Sequence, residues 1–70
     1  MVAVKLGLVL ARQKMTLTQL SQEVGVTAVN LSALKTGKAK GVRFSTLDKI
    51  CRALDCQLGD LLEWRPDPQP

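Results

Sequence analysis

The chain has 70 residues, enough for one small domain that buries about 60% of its unfolded surface and too few for a second. Apolar residues make up 46%, yet there is one Phe, one Trp and no Tyr, which argues against a small β-domain and for packed helices. The net charge is +4, there is no His to build an imidazole metal site, and no segment approaches the ~20 apolar residues of a membrane span.

The opening "MVAVKLGLVLARQK" resembles a signal peptide only superficially. Lys5 interrupts the apolar run and no small-residue cleavage site follows, so the segment is expected to belong to the folded domain. Its first six residues alternate like a strand and admit an initial β-bridge. Residues 4–13 set Leu6, Val9 and Leu10 on one face of a first helix, which Gly7 weakens by roughly 0.5–1 kcal/mol relative to Ala. Thr16 opens a second helix with Gln19 three residues later, the capping-box spacing; Leu20 and Val24 form its inner stripe and Gly25 ends it. Thr27 is the N-cap expected for a third helix, with Leu31 and Leu34 buried behind it and Gly37 as the stop. Ser45 and Asp48 repeat the capping pattern ahead of Leu47, Ile50, Cys51 and Leu54. A last short helix carries Leu58, Leu61 and Leu62, with Trp64 sealing its end. The alternate prolines of "RPDPQP" cannot continue a helix, which predicts a domain over 1–64 and an extended or disordered tail over 65–70. The fold class expected is all-α: five short helices, with at most a short extended segment at the N-terminus.

Cys51 and Cys56 stand five residues apart in one apolar stretch, with no further Cys. Small hydrophobes in a reducing cytosol are the simpler reading; a two-thiol metal site or a disulfide is the alternative. Charge is more informative once located. Residues 1–43 hold seven Lys/Arg against one Glu, a net of +6, whereas residues 44–70 hold three against five Asp/Glu, a net of −2. Lys35, Lys38, Lys40 and Arg43 fall within nine positions. Most charge runs are solvated loops, but a concentrated positive patch on a small domain also favours a polyanionic partner.

Between residues 16 and 37 the spacing becomes specific. Leu17, Leu20, Val24, Val26, Leu31 and Leu34 form the apolar set, with the small Ser21 between Leu20 and Val24, and Gly25 at the turn. Two helices crossing steeply over a short turn need a small residue where the backbones approach and a positive-φ residue where the chain reverses. They also need an apolar set that locks one helix on the other.

On these residues the stretch "MTLTQLSQEVGVTAVNLSALKTGKAKGVRFSTLDKICRALDCQLGDLLEW", residues 15–64, resembles the phage-repressor type of helix-turn-helix domain (Cro/CI, XRE-like), in its short single-domain form. The resemblance implies a compact, lambda-repressor-like domain of five helices. It implies that the third helix enters the major groove, commonly from a two-fold dimer. Position by position, Ala28, Val29, Ser32 and Ala33 match the base-facing residues, flanked by Thr27 and Asn30. Lys35, Thr36 and Lys38 match backbone contacts at the helix exit. Leu17 and Thr18 match the first turn of the second helix, where many relatives place a phosphate-binding Gln. Helical projection agrees independently: with Leu31 and Leu34 inward, Val29, Ala33 and Thr36 point nearly opposite, with Ser32 beside them.

The departures matter. Relatives often carry Arg, Gln or Ser where this chain has Ala28, and Arg where it has Ala33. Forked side chains make bidentate bonds worth roughly 1–3 kcal/mol of base discrimination each, and Ala and Val make none. Affinity is therefore expected mainly from phosphates, through Lys35, Lys38, Lys40, Arg43 and the N-terminal amides of the two motif helices, with a modest preference leaning to A/T.

An enzyme is not expected. There is no His or Tyr, no Ser or Cys with a base at a workable spacing, and "KTGKAKG" lacks the preceding strand of a phosphate loop. Glu23, Asp48, Asp55 and Asp60 read as caps and solvated charges. Single-strand binding requires exposed aromatics, and Phe44 and Trp64 occupy core-like positions. The reading is a cytoplasmic, double-stranded DNA-binding regulator of transcription, a repressor by type. It needs no metal, cofactor or small-molecule ligand, and it acts as a homodimer through Leu8, the alternating start and the Trp64 end. The rival is an antitoxin-like adaptor that kept the fold and lost most base reading.

Overall fold

The computed structural model describes residues 1–67. In chain order it comprises β1 (Val2–Val4), α1 (Leu6–Gln13), α2 (Leu17–Val24), α3 (Ala28–Lys35), α4 (Phe44–Leu54), α5 (Leu58–Leu61) and β2 (Leu62–Trp64). The helical class and the five helices agree with the sequence reading. The two strands add a short antiparallel ribbon in which Val2 faces Trp64, Ala3 faces Glu63 and Val4 faces Leu62.

Each helix buries an i, i+3, i+4 stripe: Leu6, Val9 and Leu10 from α1, Leu20 and Val24 from α2, Leu31 and Leu34 from α3, and Leu47, Ile50 and Leu54 from α4. Leu61 closes the cluster from α5. Every core side chain is aliphatic, and full burial of each is worth about 1.5–3 kcal/mol. Gln13 adds a polar tie, its side-chain amide donating to the Leu54 carbonyl at the end of α4.

Local chemistry sets the helix boundaries around the site. Thr16 and Gln19 form a reciprocal capping box, with Gln19 N–H donating to Thr16 Oγ1 at 3.1 Å and Thr16 N–H to Gln19 Oε1 at 2.8 Å. Gly25 ends α2 in the left-handed region at φ 71°, its N–H donating to the Ser21 carbonyl at 2.9 Å. Two residues on, Thr27 Oγ1 accepts the Asn30 N–H at 3.2 Å and starts α3. Gly37, at φ 78°, reverses the chain out of α3.

Four boundary expectations are corrected. The first helix begins at Leu6, not at residue 4, because Val4 pairs with Leu62 in the ribbon. Ser45 is not an N-cap: α4 starts at Phe44, the Thr46 and Leu47 N–H groups already bond to the Arg43 carbonyl, and Ser45 lies inside the first turn. Asp48 instead pairs with Arg52 one turn on, at 3.2 Å. The last helix is a single turn, because Leu62 turns extended (φ −130°, ψ 145°) and leads into β2.

Both aromatics are corrected as well. Trp64 is 71% exposed on the ribbon and seals nothing, and Phe44 is 87% exposed at the start of α4. The core is already full with aliphatic residues, so neither ring has a place in it. The tail is not free from residue 65: the Arg65 N–H donates to the Met1 carbonyl at 2.9 Å and extends the ribbon by one rung. Residues 68–70 of the expected tail lie outside the described residues.

Cys51 and Cys56 are half-buried free thiols joined through the turn that ends α4, where the Cys56 N–H donates to the Cys51 carbonyl at 3.0 Å. Burial chiefly, and then the neighbouring Cys51 thiol, push the Cys56 pKa up to about 11, so it stays protonated at neutral pH.

Candidate nucleic-acid interface

Helices α2 and α3 meet across the Gly25–Thr27 turn, with Leu20, Val24, Leu31 and Leu34 locked together inside. This leaves one long side of α3 outside the protein. Val29 stands at its centre and is 78% exposed. Ser32 and Thr36 are exposed beside it, and Ala28 and Ala33 are half-buried at its edges. No side chain on this face is longer than Val29.

Two of the hydroxyls along α3 are engaged within the helix. The Thr27 hydroxyl caps the helix and the Thr36 hydroxyl donates to the Ser32 carbonyl at 2.9 Å. Asn30 is exposed, but it lines an open cleft of about 680 Å³ between α3 and the loop 39–43. Lys40 and Arg43 border that cleft from the loop side and Thr46 from α4. Asn30 thus shares a boundary with the basic loop more than with Val29.

Apart from Thr36, whose hydroxyl is turned back to the Ser32 carbonyl on the outer side of α3, the expected phosphate residues divide into three groups. Lys38, Lys40 and Arg43 are exposed on the loop that follows Gly37, and no ion pair among the described residues involves them. Lys35 is also exposed and unpaired, but its stem crosses α1: a Cβ on Gly7 would lie 3.1 Å from Lys35 Cε. Four residues after the buried Leu31, Lys35 therefore occupies the α1 flank of α3, away from the 39–43 cleft. Leu17 and Thr18 form the third group at the start of α2. Leu17 is half-buried against the core, and Thr18 is exposed with its carbonyl accepting the Ser21 hydroxyl at 2.9 Å.

Sequence reasoning missed the exposed Phe44 and Val42, which stand next to Arg43 at the end of the basic loop. Phe44 lies three residues before Leu47, at the margin of the α4 stripe, so periodicity alone pointed it inward. Only the completeness of the aliphatic core could have redirected it.

A two-helix corner closed by a short turn, with a capped, outward-facing second helix and a basic exit loop, defines a helix-turn-helix protein. The Cro/C1-type HTH DNA-binding domain matches residues 5–67, and the chain belongs to that family. It is also 53% identical over 66 residues to the uncharacterized HTH-type transcriptional regulator YozG of Bacillus subtilis (strain 168), a match covering 94% of this chain and 79% of that protein. No helix among the described residues is long and apolar enough to cross a membrane.

Proposed function

We propose that the chain is a small cytoplasmic regulator of transcription that binds double-stranded DNA as a homodimer and represses by occupying its site. In this reading α3 lies in the major groove, and Lys38, Lys40 and Arg43 lie on the adjoining phosphates, with Lys35 and the first turn of α2 on the far side. The observation that carries it is the cluster of cations at the exit of α3 that have no acidic partner among the described residues, beside a helix face that those residues leave uncovered. Phosphate contacts of this kind release counterions, so the logarithm of affinity falls by about 0.9 per contact for each tenfold rise in salt.

The dimer reading is supported by the ribbon. Val2 and Trp64 pair directly across it and are 63% and 71% exposed, and Leu8 on α1 is 62% exposed. A dimer would present two copies of α3 about 34 Å apart, one turn of DNA. The likeness to an HTH-type transcriptional regulator supports the regulatory role.

Titration of labelled duplexes at several salt concentrations, paired with sedimentation of the free and bound protein, tests the reading. Salt-dependent binding with a slope of several units and two protomers per site is the expected result. Absence of binding to any duplex at low salt overturns it and leaves the protein-interaction adaptor or, since Phe44 and Trp64 are exposed after all, single-strand binding, which the same titration with single strands separates.

A further inference from the structure

We infer that the outer face of α3 reads the 5-methyl group of pyrimidines, with Val29 as the reading residue, whether that methyl belongs to thymine or to 5-methylcytosine. The inference rests on the reading that α3 enters the major groove, and it names what the helix distinguishes there.

The inventory of the face leads to this chemistry. Helical spacing sets Val29 and Thr36 opposite the buried Leu31 and Leu34, so these two stand furthest out. Val29 is 78% exposed, an apolar β-branched residue on a helix surface where a better helix former would serve the fold alone. Thr36 has its hydroxyl turned back to the Ser32 carbonyl at 2.9 Å and, more weakly, to the Ala33 carbonyl at 3.4 Å. Thr27 uses its oxygen to cap the helix. Ser32 keeps an exposed hydroxyl, but a hydroxyl donates and accepts alike and bonds to any base edge. Asn30, the one amide, lines the cleft beside Lys40 and Arg43.

With no donor or acceptor that tells one base pair from another at the centre of the face, discrimination falls to apolar contact. The only apolar group displayed in the major groove is the methyl at pyrimidine C5. Ala28 and Ala33, half-buried at the edges, add no side chain long enough to hold the helix away from the bases. The unpaired cations on the loop supply attraction that does not depend on sequence, which lets a single methyl contact decide between sites.

The test compares an A·T-rich duplex made with thymine or with uracil, and a G·C-rich duplex made with cytosine or with 5-methylcytosine, at one salt concentration. Wild-type protein should prefer the methylated member by roughly fourfold for each methyl buried, the ratio expected for one apolar carbon. Val29→Ala removes both γ-methyls, leaving only the β-carbon, and favours helix formation, so the fold is retained, and it should bring the ratio below about twofold while leaving the salt slope unchanged. A preference in both pairs, or in one, that Val29→Ala abolishes supports the assignment, and the responding pair identifies the source of the methyl. Equal binding within both pairs overturns it while leaving salt-dependent DNA binding intact, as does a methyl preference that survives Val29→Ala. If no duplex binds at all, the major-groove reading fails first and this inference with it.

Discussion

The terminal ribbon and the loop after α3 are both rich in charge, and the molecule treats them in opposite ways. In the ribbon, Glu63 holds Arg65 at 2.7 Å and Lys5 at 3.6 Å, and the Met1 amino group sits 3.1 Å from Asp67. In the loop, Lys38, Lys40 and Arg43 have no acidic partner among the described residues. The same contrast runs along α3, where the Thr27 and Thr36 hydroxyls are bonded within the helix while Val29 and Ser32 are left outside it. Groups satisfied within the fold contribute to stability; groups left over are available to a partner. The difference teaches that total charge does not tell the two regions apart, whereas pairing does.

The sharpest way to break this comparison is to reverse charge in each region. Lys38→Glu, Lys40→Glu and Arg43→Glu together should lower duplex affinity on the order of a hundredfold or more at low salt, without loss of helicity by circular dichroism. Lys5→Glu with Arg65→Glu, set against Lys38→Glu with Lys40→Glu so that each variant carries two reversals, should cost far less in affinity by the same titration. Comparable losses from the two variants would remove the distinction between paired and unpaired cations.

Single substitutions sharpen the comparison. Lys38→Ala should reduce the salt slope of log affinity by about one unit, and Lys5→Ala should leave the slope where it was. Lys35→Ala separates the flanks of α3. If the stem over Gly7 directs the ammonium to a phosphate on the α1 side, the slope falls by a similar unit; if Lys35 only packs on α1, the slope holds and thermal stability falls instead.

Much of this arrangement was legible in the sequence because its causes are local. Thr16 with Gln19, Gly25, Thr27 and Gly37 each act within a few residues, through a cap bond or a positive φ, so their spacing announces two helices and a turn. The exposed side of α3 followed from the same periodicity. What escaped was tertiary. Strand β2 has only three residues, and its partner β1 lies almost a full chain length away, so no local pattern could pair Leu62 with Val4. Phe44, three residues before Leu47, and Trp64, at the end of the last helix, stand at core-like positions in the sequence, and nothing within their own segments shows that the core is built without them. The crossing of Lys35 over Gly7 was hidden for the same reason, being a contact between helices that are distant in sequence.

A smaller effect tests the satisfied hydroxyls. Thr27→Ala removes the cap of α3 and should lower unfolding stability by about 1 kcal/mol, with Thr27→Ser restoring most of it in denaturant titrations. If Thr27 acts in the fold rather than on a base, relative affinities for different duplex sequences should not change. A shift in sequence preference in Thr27→Ala would move this hydroxyl from the satisfied groups to the reading face.

The smallest effect lies in the ribbon and depends on pH. The Arg65 hydrogen bond chiefly, and the charges of Arg65 and Lys5 after it, hold the Glu63 carboxyl below its usual value of 4.5 in the folded chain. A depressed folded-state pKa contributes stability that is complete above the unfolded value and is lost as pH falls through the folded one. Wild-type protein should therefore show a small loss of melting temperature as pH drops below about 4.5 that Glu63→Gln lacks, the two curves converging in acid. At neutral pH the variant should be slightly the less stable, and its affinity and salt slope for DNA should match the wild type. A change in slope would mean that releasing Lys5 and Arg65 from Glu63 turns them toward DNA, and that pairing alone is what keeps the ribbon cations out of the interface.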